Sequence, residues 1–218
     1  MRTIAIVATA CAVVAAVLIA IRSTGGEASA DQLASGTPQH NAGHYDASGA
    51  AGQSGSADAL TVTQVDRTFL VKVRQAGLWE IPAGRIAQTN ASSDAVRRAG
   101  LHLLDGHSKL DQLVREDAKI LGVELPNEAT PEQQEWVRQL EAAQGAEFDR
   151  LFANVLRASH GKIFATIAEV RAATQNDLIR RHARQANQTV LDHMEVLEDT
   201  GLVDPATLKE VEADVTPK

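Results

Sequence analysis

Cysteine is nearly absent from this chain of 218 residues, and the single one, Cys11, sits in an apolar N-terminal run. That excludes internal disulfides, cysteine-ligated zinc and a thiol nucleophile in the folded part. Aromatic residues are scarce at 3%, and Ala, Leu and Val supply most of the 44% apolar content. Such a composition favours helix over sheet. No stretch alternates apolar and polar residues with period two, so no sheet is expected. Basic residues do not cluster, and 21 Lys and Arg against 28 Asp and Glu leave a net charge of −7. No nucleic-acid partner is expected from that balance. Gly-x-Ser-x-Gly, a Walker loop and a dinucleotide glycine fingerprint are all missing, which argues against the common hydrolase and nucleotide chemistries. No catalytic residue is assigned, and the reading leans away from an enzyme.

What is present begins with a run of 18 uncharged residues, Ile4 to Ile21, between Arg2 and Arg22. As a helix it would reach roughly 27 Å, nearly one hydrocarbon thickness. Ala28-Ser29-Ala30 also fits the small-x-small pattern of a signal-peptidase site. Residues 1–22 therefore read as a membrane anchor or a signal peptide. Either places the rest outside the cytoplasm, anchored by one helix or secreted after cleavage. Residues 23–60 follow as a Gly/Ser/Ala-rich linker: 22 of the 38 are one of those three. It has too little apolar bulk to offset chain entropy. His40 and His44 within it read as solvated side chains.

After Leu60 the apolar pattern becomes helical, with steps of three and four that keep a stripe on one face. The spacing predicts helices over about Thr63–Asn90, Ser93–Leu121, Ala146–Ala173 and Asn176–Thr200, with a shorter one from Pro131 to about Ala143. Gly122 and Gly201 stand where helix stops are wanted. Pro82 predicts a kink in the first helix. Two short turns and one longer connection point to an all-α, up-down-up-down four-helix bundle with a short extra helix between its hairpins. The bundle spans 61–203, and 204–218 reads as a C-terminal tail. Trp136 on the short helix could serve as a docking surface for an envelope protein. The oligomeric state is open.

Each long stripe carries one ionisable residue where an apolar one belongs: Glu80, His107, His160 and His193. Charged residues are rarely buried unless paired. Counting from turns near Ala91 and Gln175, at ~1.5 Å per residue, all four fall roughly 16–27 Å below one end of the bundle. They can therefore share a layer. Imidazole nitrogens and a carboxylate oxygen are suitable ligands for zinc, iron or copper. Asp111, one turn after His107, is a candidate outer partner of that ring, and Asp149 lies on the third stripe as a second outer candidate. Two other readings stay open. Glu80 could accept hydrogen bonds from the histidines in a buried network that fixes helix register, or some histidines could sit on the stripe's flank. No histidine has Glu three residues before it, so a standard di-iron carboxylate site is not expected. His102 and His182 fall off the best stripes and read as surface or boundary residues. The Arg97–Arg98 and Arg180–Arg181 pairs read as solvated helix faces.

Several short motifs carry a family resemblance. They are Asp66-Arg67-Thr68-Phe69, Glu80, Gly84-Arg85-Ile86-Ala87, His107-Ser108-Lys109, Leu125-Pro126, and Phe148-Asp149 with His160 and then His193. Their order and spacing over about Thr61 to Leu202 resemble the bacterial domain-of-unknown-function family 4142. The resemblance implies a ferritin-like four-helix fold outside the cytoplasm and brings no established reaction. The chain departs from the family's pattern at Pro82, and at Gly106, where the family usually has Asp before its histidine. The expected function is an extracytoplasmic, membrane-tethered binding or structural module. The alternative is a metal-binding or redox protein with a Glu/His site in the bundle core.

Overall fold

The computed structural model describes residues 61–216. The anchor or signal segment, Cys11, the linker and the His40/His44 pair lie outside the described residues. Six helices and no strand occur among the described residues: α1 (Gln64–Asn90), α2 (Asp94–Leu121), α3 (Pro131–Ala142), α4 (Gly145–Ala173), α5 (Asp177–Glu198) and α6 (Pro205–Val215). No helix among them is long and apolar enough to cross a membrane.

The ends are fixed by local chemistry. Thr63 and Asp66 form a capping box at α1: the Asp66 amide donates to Thr63 Oγ1, and the Thr63 amide donates to Asp66 Oδ2 at 2.9 Å. Thr130 and Gln133 repeat the device at α3, with Pro131 at the first helical position, where its missing N–H costs nothing. Asn176 Oδ1 accepts from the Leu178 and Ile179 amides at the start of α5. α2 ends at Gly122, whose φ of 64° is the left-handed conformation that glycine adopts without strain. α1 runs unbroken through Pro82.

The four long helices pack in a closed ring, α1 on α2, α2 on α5, α5 on α4 and α4 on α1. Their apolar stripes form two clusters rather than one. Trp79, Leu103, Leu140, Phe148, Phe152, Leu156 and Leu197 belong to the first. Phe69, Leu70, Val114, Ile167, Ile179 and Val190 belong to the second. Burying each large side chain of this kind contributes roughly 1.5–3 kcal/mol. On α2, α4 and α5 the change of cluster falls at one polar residue, and on α1 it falls between Val73 and Trp79, just before Glu80. Glu80 lies between Val73 and Ala83, His107 between Leu103 and Leu110, His160 between Leu156 and Ile167, and His193 between Val190 and Leu197.

α3 lies beside α1 and α4. Trp136 is half-buried. Its ring lies 5.0 Å from that of Trp79, packed on the first cluster. Residues 205–215 are not a tail: they form α6, which packs on α4. Polar contacts hold it there. Lys162 Nζ donates to Glu210 at 2.6 Å and to Asp214 at 2.9 Å, and Thr207 Oγ1 donates to Asn154 Oδ1 at 2.6 Å. Leu208 and Val215 stay exposed, so α6 has no full apolar stripe for periodicity to reveal.

Candidate metal centre

The four inward residues meet. Glu80, His107, His160 and His193, one from each long helix, are each no more than 3% exposed. Glu80 Oε2 lies 2.5 Å from His107 Nε2 and 3.3 Å from His160 Nε2. His107 Nε2 and His160 Nε2 are 3.4 Å apart, and His160 Nε2 is 3.1 Å from His193 Nδ1. One ligand atom from each histidine falls within 4.8 Å of the other two.

Neighbouring backbone fixes the tautomer of His160. Its Nδ1 lies 2.8 Å from the Leu156 carbonyl, one turn earlier on its own helix. A carbonyl can only accept, so Nδ1 carries the proton and Nε2 turns a bare lone pair inward. His193 Nδ1 faces that lone pair at 3.1 Å, and its Nε2 lies against α2 at Gly106. The approach of His193 depends on Gly106: a Cβ there would come within 2.4 Å of His193 Nε2.

Electrostatics favour the neutral rings. Burial pushes His160 down, and this outweighs the opposing pull of Glu80. His193 is pushed down to about 2, by burial first and then by His107 and His160. Burial raises the Glu80 carboxyl, but His107 and His160 beside it more than offset this, leaving it below its ordinary value. The close contact of Glu80 Oε2 with His107 has the wrong angles for a directed hydrogen bond, so Oε2 is a buried oxygen without a hydrogen-bond partner.

The donor set fits a transition-metal ion. Metal bonds of about 2.0–2.1 Å in a tetrahedron put ligand atoms roughly 3.3 Å apart. A tetrahedron has six such edges, and three of them, at 3.1, 3.3 and 3.4 Å, are close to that length, while the three histidine ligand atoms lie within 4.8 Å of one another. A fourth, Glu80 to His107, is shorter and needs a small carboxylate shift.

The two outer candidates are elsewhere. Asp111 does not orient His107: it pairs with Arg74 of α1 and with Arg115, whose Nη2 is 3.1 Å away. Two guanidinium groups compete for that carboxylate and win. Asp149 sits at the far end of α4 from His160. Its Oδ1 accepts from the Ser92 amide at 3.1 Å, and its Oδ2 accepts from Ser92 Oγ at 2.5 Å and the Ser93 amide at 3.0 Å. It therefore caps α2, where the helix dipole favours a negative charge. The partner that orients His160 is a backbone group, the Leu156 carbonyl, which no residue-type pattern marks.

His102 is exposed, 3.5 Å from Asp192. His182 is not a boundary residue but fully buried, its Nδ1 2.8 Å from Asp117 Oδ2 and its ring edge-on to Phe69 at 5.0 Å. The signal for it was available, since His182 lies three residues after Ile179 and one before Ala183 on the buried face of α5. Arg97 and Arg180 do more than face solvent: they donate to the carbonyls of Ala91 and Thr174 in the two turns.

A crystal structure of a DUF305 fragment from Deinococcus radiodurans resembles this chain with a TM-score of 0.57 at 15% identity. The match covers 64% of this chain and 96% of that one. At that identity the likeness speaks to the fold alone. No curated protein matches the chain. The family model of a domain of unknown function, DUF4142, matches residues 51–200, and the chain belongs to that family.

Proposed function

We propose that the bundle is a metal-binding protein holding one divalent transition-metal ion between Glu80, His107, His160 and His193. The observation that carries this reading is the meeting of His107, His160 and His193 in a buried layer, one ligand atom of each within 4.8 Å of the others and His160 Nε2 turned inward as a bare lone pair. Burial holds His160 and His193 below the ordinary histidine range, which keeps their lone pairs for a cation. A hydrogen-bonded network centred on Glu80 would need ring protons pointing inward, and His160 Nε2 has none to supply.

Three neutral imidazoles and one carboxylate suit zinc, iron or copper. The protein's contribution is to hold four helices at the spacing the ion needs, and the two apolar clusters keep bulk water from the layer. We also assign the bundle a ferritin-like, up-down-up-down arrangement, supported by the closed ring of packing and the two short turns. Placement outside the cytoplasm, by anchor or by export, is part of the same proposal and rests on Ile4–Ile21 and Ala28-Ser29-Ala30.

Elemental analysis of the full chain, purified without a polyhistidine tag or chelator, tests the reading. Near-stoichiometric metal is expected, and its loss in a His160→Leu, His193→Leu variant that stays helical by circular dichroism. A wild-type chain that takes up no zinc, iron or copper on reconstitution contradicts it.

A further inference from the structure

The turn between α4 and α5 gathers positive charge on a chain whose net charge is −7. Arg171, Arg180, Arg181 and Arg184 line one concavity of about 180 Å³, and the only acid in its lining is Asp177. Asp177 pairs with Arg180. Arg171, Arg181 and Arg184 are exposed, and none has a carboxylate within ion-pair distance among the described residues. Main chain holds two of the guanidinium groups in place: Arg171 Nη1 donates to the Arg180 carbonyl and Arg180 Nη2 to the Thr174 carbonyl, each at 3.1 Å. Four cations set round one concavity with a single acidic partner suit a surface that offers several anionic oxygens at once.

We propose that this arginine cluster is a docking face for an anionic phospholipid surface, with lipid phosphates as its ligands. The inference takes from the previous subsection only the membrane anchor at Ile4–Ile21, and nothing from the metal. Its first support is the charge just described. Its second is position. Thr174 Oγ1 donates to Asp66 Oδ1 at 2.5 Å, so the first turn of α1 lies against the α4–α5 turn. The chain therefore joins the bundle at the arginine end. α1 has 27 residues, which puts the other end roughly 40 Å away. A Gly/Ser/Ala-rich tether of 38 residues reaches roughly 31–37 Å in root mean square, which favours the near end at a bilayer. The third support is apolar. Ile120, the most exposed large apolar side chain at 64%, ends α2 at this end, and Val65 begins α1 there. Both suit the headgroup boundary. Glu116 and Glu124 are exposed on the α2 side, so α4 and α5 lead the contact. Near an anionic bilayer each basic residue strengthens binding by about fivefold. Three unpaired arginines then supply roughly a hundredfold, which is weak for a free domain and sufficient for a tethered one.

The test uses the full chain with Cys11→Ala and a fluorophore on Gln175→Cys, in the turn, or on Glu141→Cys, at the other end. Each is reconstituted with vesicles of phosphatidylcholine alone, or of phosphatidylcholine and phosphatidylglycerol in equal parts, carrying a quencher on a lipid headgroup. On the mixed vesicles, quenching is expected at position 175 and not at 141. It should vanish on phosphatidylcholine alone, and at about 1 M sodium chloride, where the screening length is about 3 Å. Arg181→Gln with Arg184→Gln, both exposed, should weaken the docked state by about 25-fold with helicity unchanged. Equal quenching on both kinds of vesicle, or in the wild type and the double variant, overturns the inference and leaves the anchor standing. Quenching that inorganic phosphate abolishes at an ionic strength where chloride does not also overturns it, because the cluster is then a site for the free ion. A chain that does not float with phosphatidylcholine vesicles overturns the anchor, and this inference with it.

Discussion

His160 Nε2 and His193 Nδ1 face each other at 3.1 Å, and the other nitrogen of His160 donates to the Leu156 carbonyl. His160 cannot turn away from the contact without breaking that bond. Under the proposal, this is the edge of the site that an ion would bridge.

The first consequence concerns acid. His160 and His193 have folded-state values below the ordinary histidine range, His193 near 2. In the unfolded chain both titrate near 6.5. Between those limits the unfolded state binds more protons, so the metal-free fold loses stability as pH drops below about 6.5. With both rings in that window the slope approaches roughly 2.7 kcal/mol per pH unit. Glu80, held below its ordinary value, adds to the loss below about 4.5. By about pH 8, where the unfolded rings are almost wholly neutral, these groups contribute almost no slope. Urea titrations from pH 4 to 8 check this, and saturating zinc should move the falling limb to lower pH.

Gly106 makes a sharper test. In an exposed helix, Gly→Ala would stabilise by about 1 kcal/mol through propensity. At this position the new methyl would come within 2.4 Å of His193 Nε2. Gly106→Ala should therefore lower metal affinity by about 10–100-fold, the usual loss when a ligand's orienting contact is disturbed. Competition titration against a chromophoric chelator reads the affinity. An unchanged value would show that His193 does not need its present position.

The buried Asp117–His182 pair should behave as structure only. Asp117→Ala leaves a fully buried ring without its partner, and the cost should be about 2–4 kcal/mol in denaturant. Metal stoichiometry should stay at the wild-type value, because the pair lies ten residues along α2 from His107 and eleven along α5 from His193.

Asp149 is expected to act in the same way. Removing its carboxylate strips three hydrogen bonds from Ser92 and Ser93. Asp149→Ala should cost about 1–3 kcal/mol of thermal stability with no change in metal affinity. A loss of metal here would return Asp149 to the outer partners of the site.

The helices and the inward layer were legible because both follow from periodicity. Steps of three and four placed Val96, Leu103, Leu110 and Val114 on one face, and His107 fell on that face with them. Counting residues from the turns then placed four helices' polar residues at one height. The outer partners were not legible, because sequence spacing shows that two groups are near but not which competitor wins. Asp111 is one turn from His107, as expected, yet Arg74 from another helix takes it. The Leu156 carbonyl carries no residue-type signature at all. α6 was missed because salt bridges from Lys162, not an apolar stripe, dock it.

Anomalous diffraction from crystals grown with zinc tests the central claim most directly. One anomalous peak is expected in the layer, about 2.0–2.2 Å from His107 Nε2, His160 Nε2, His193 Nδ1 and a Glu80 carboxylate oxygen. A layer without a peak, with a ring turned so that an N–H bridges His160 and His193, would contradict it and show a hydrogen-bonded core instead.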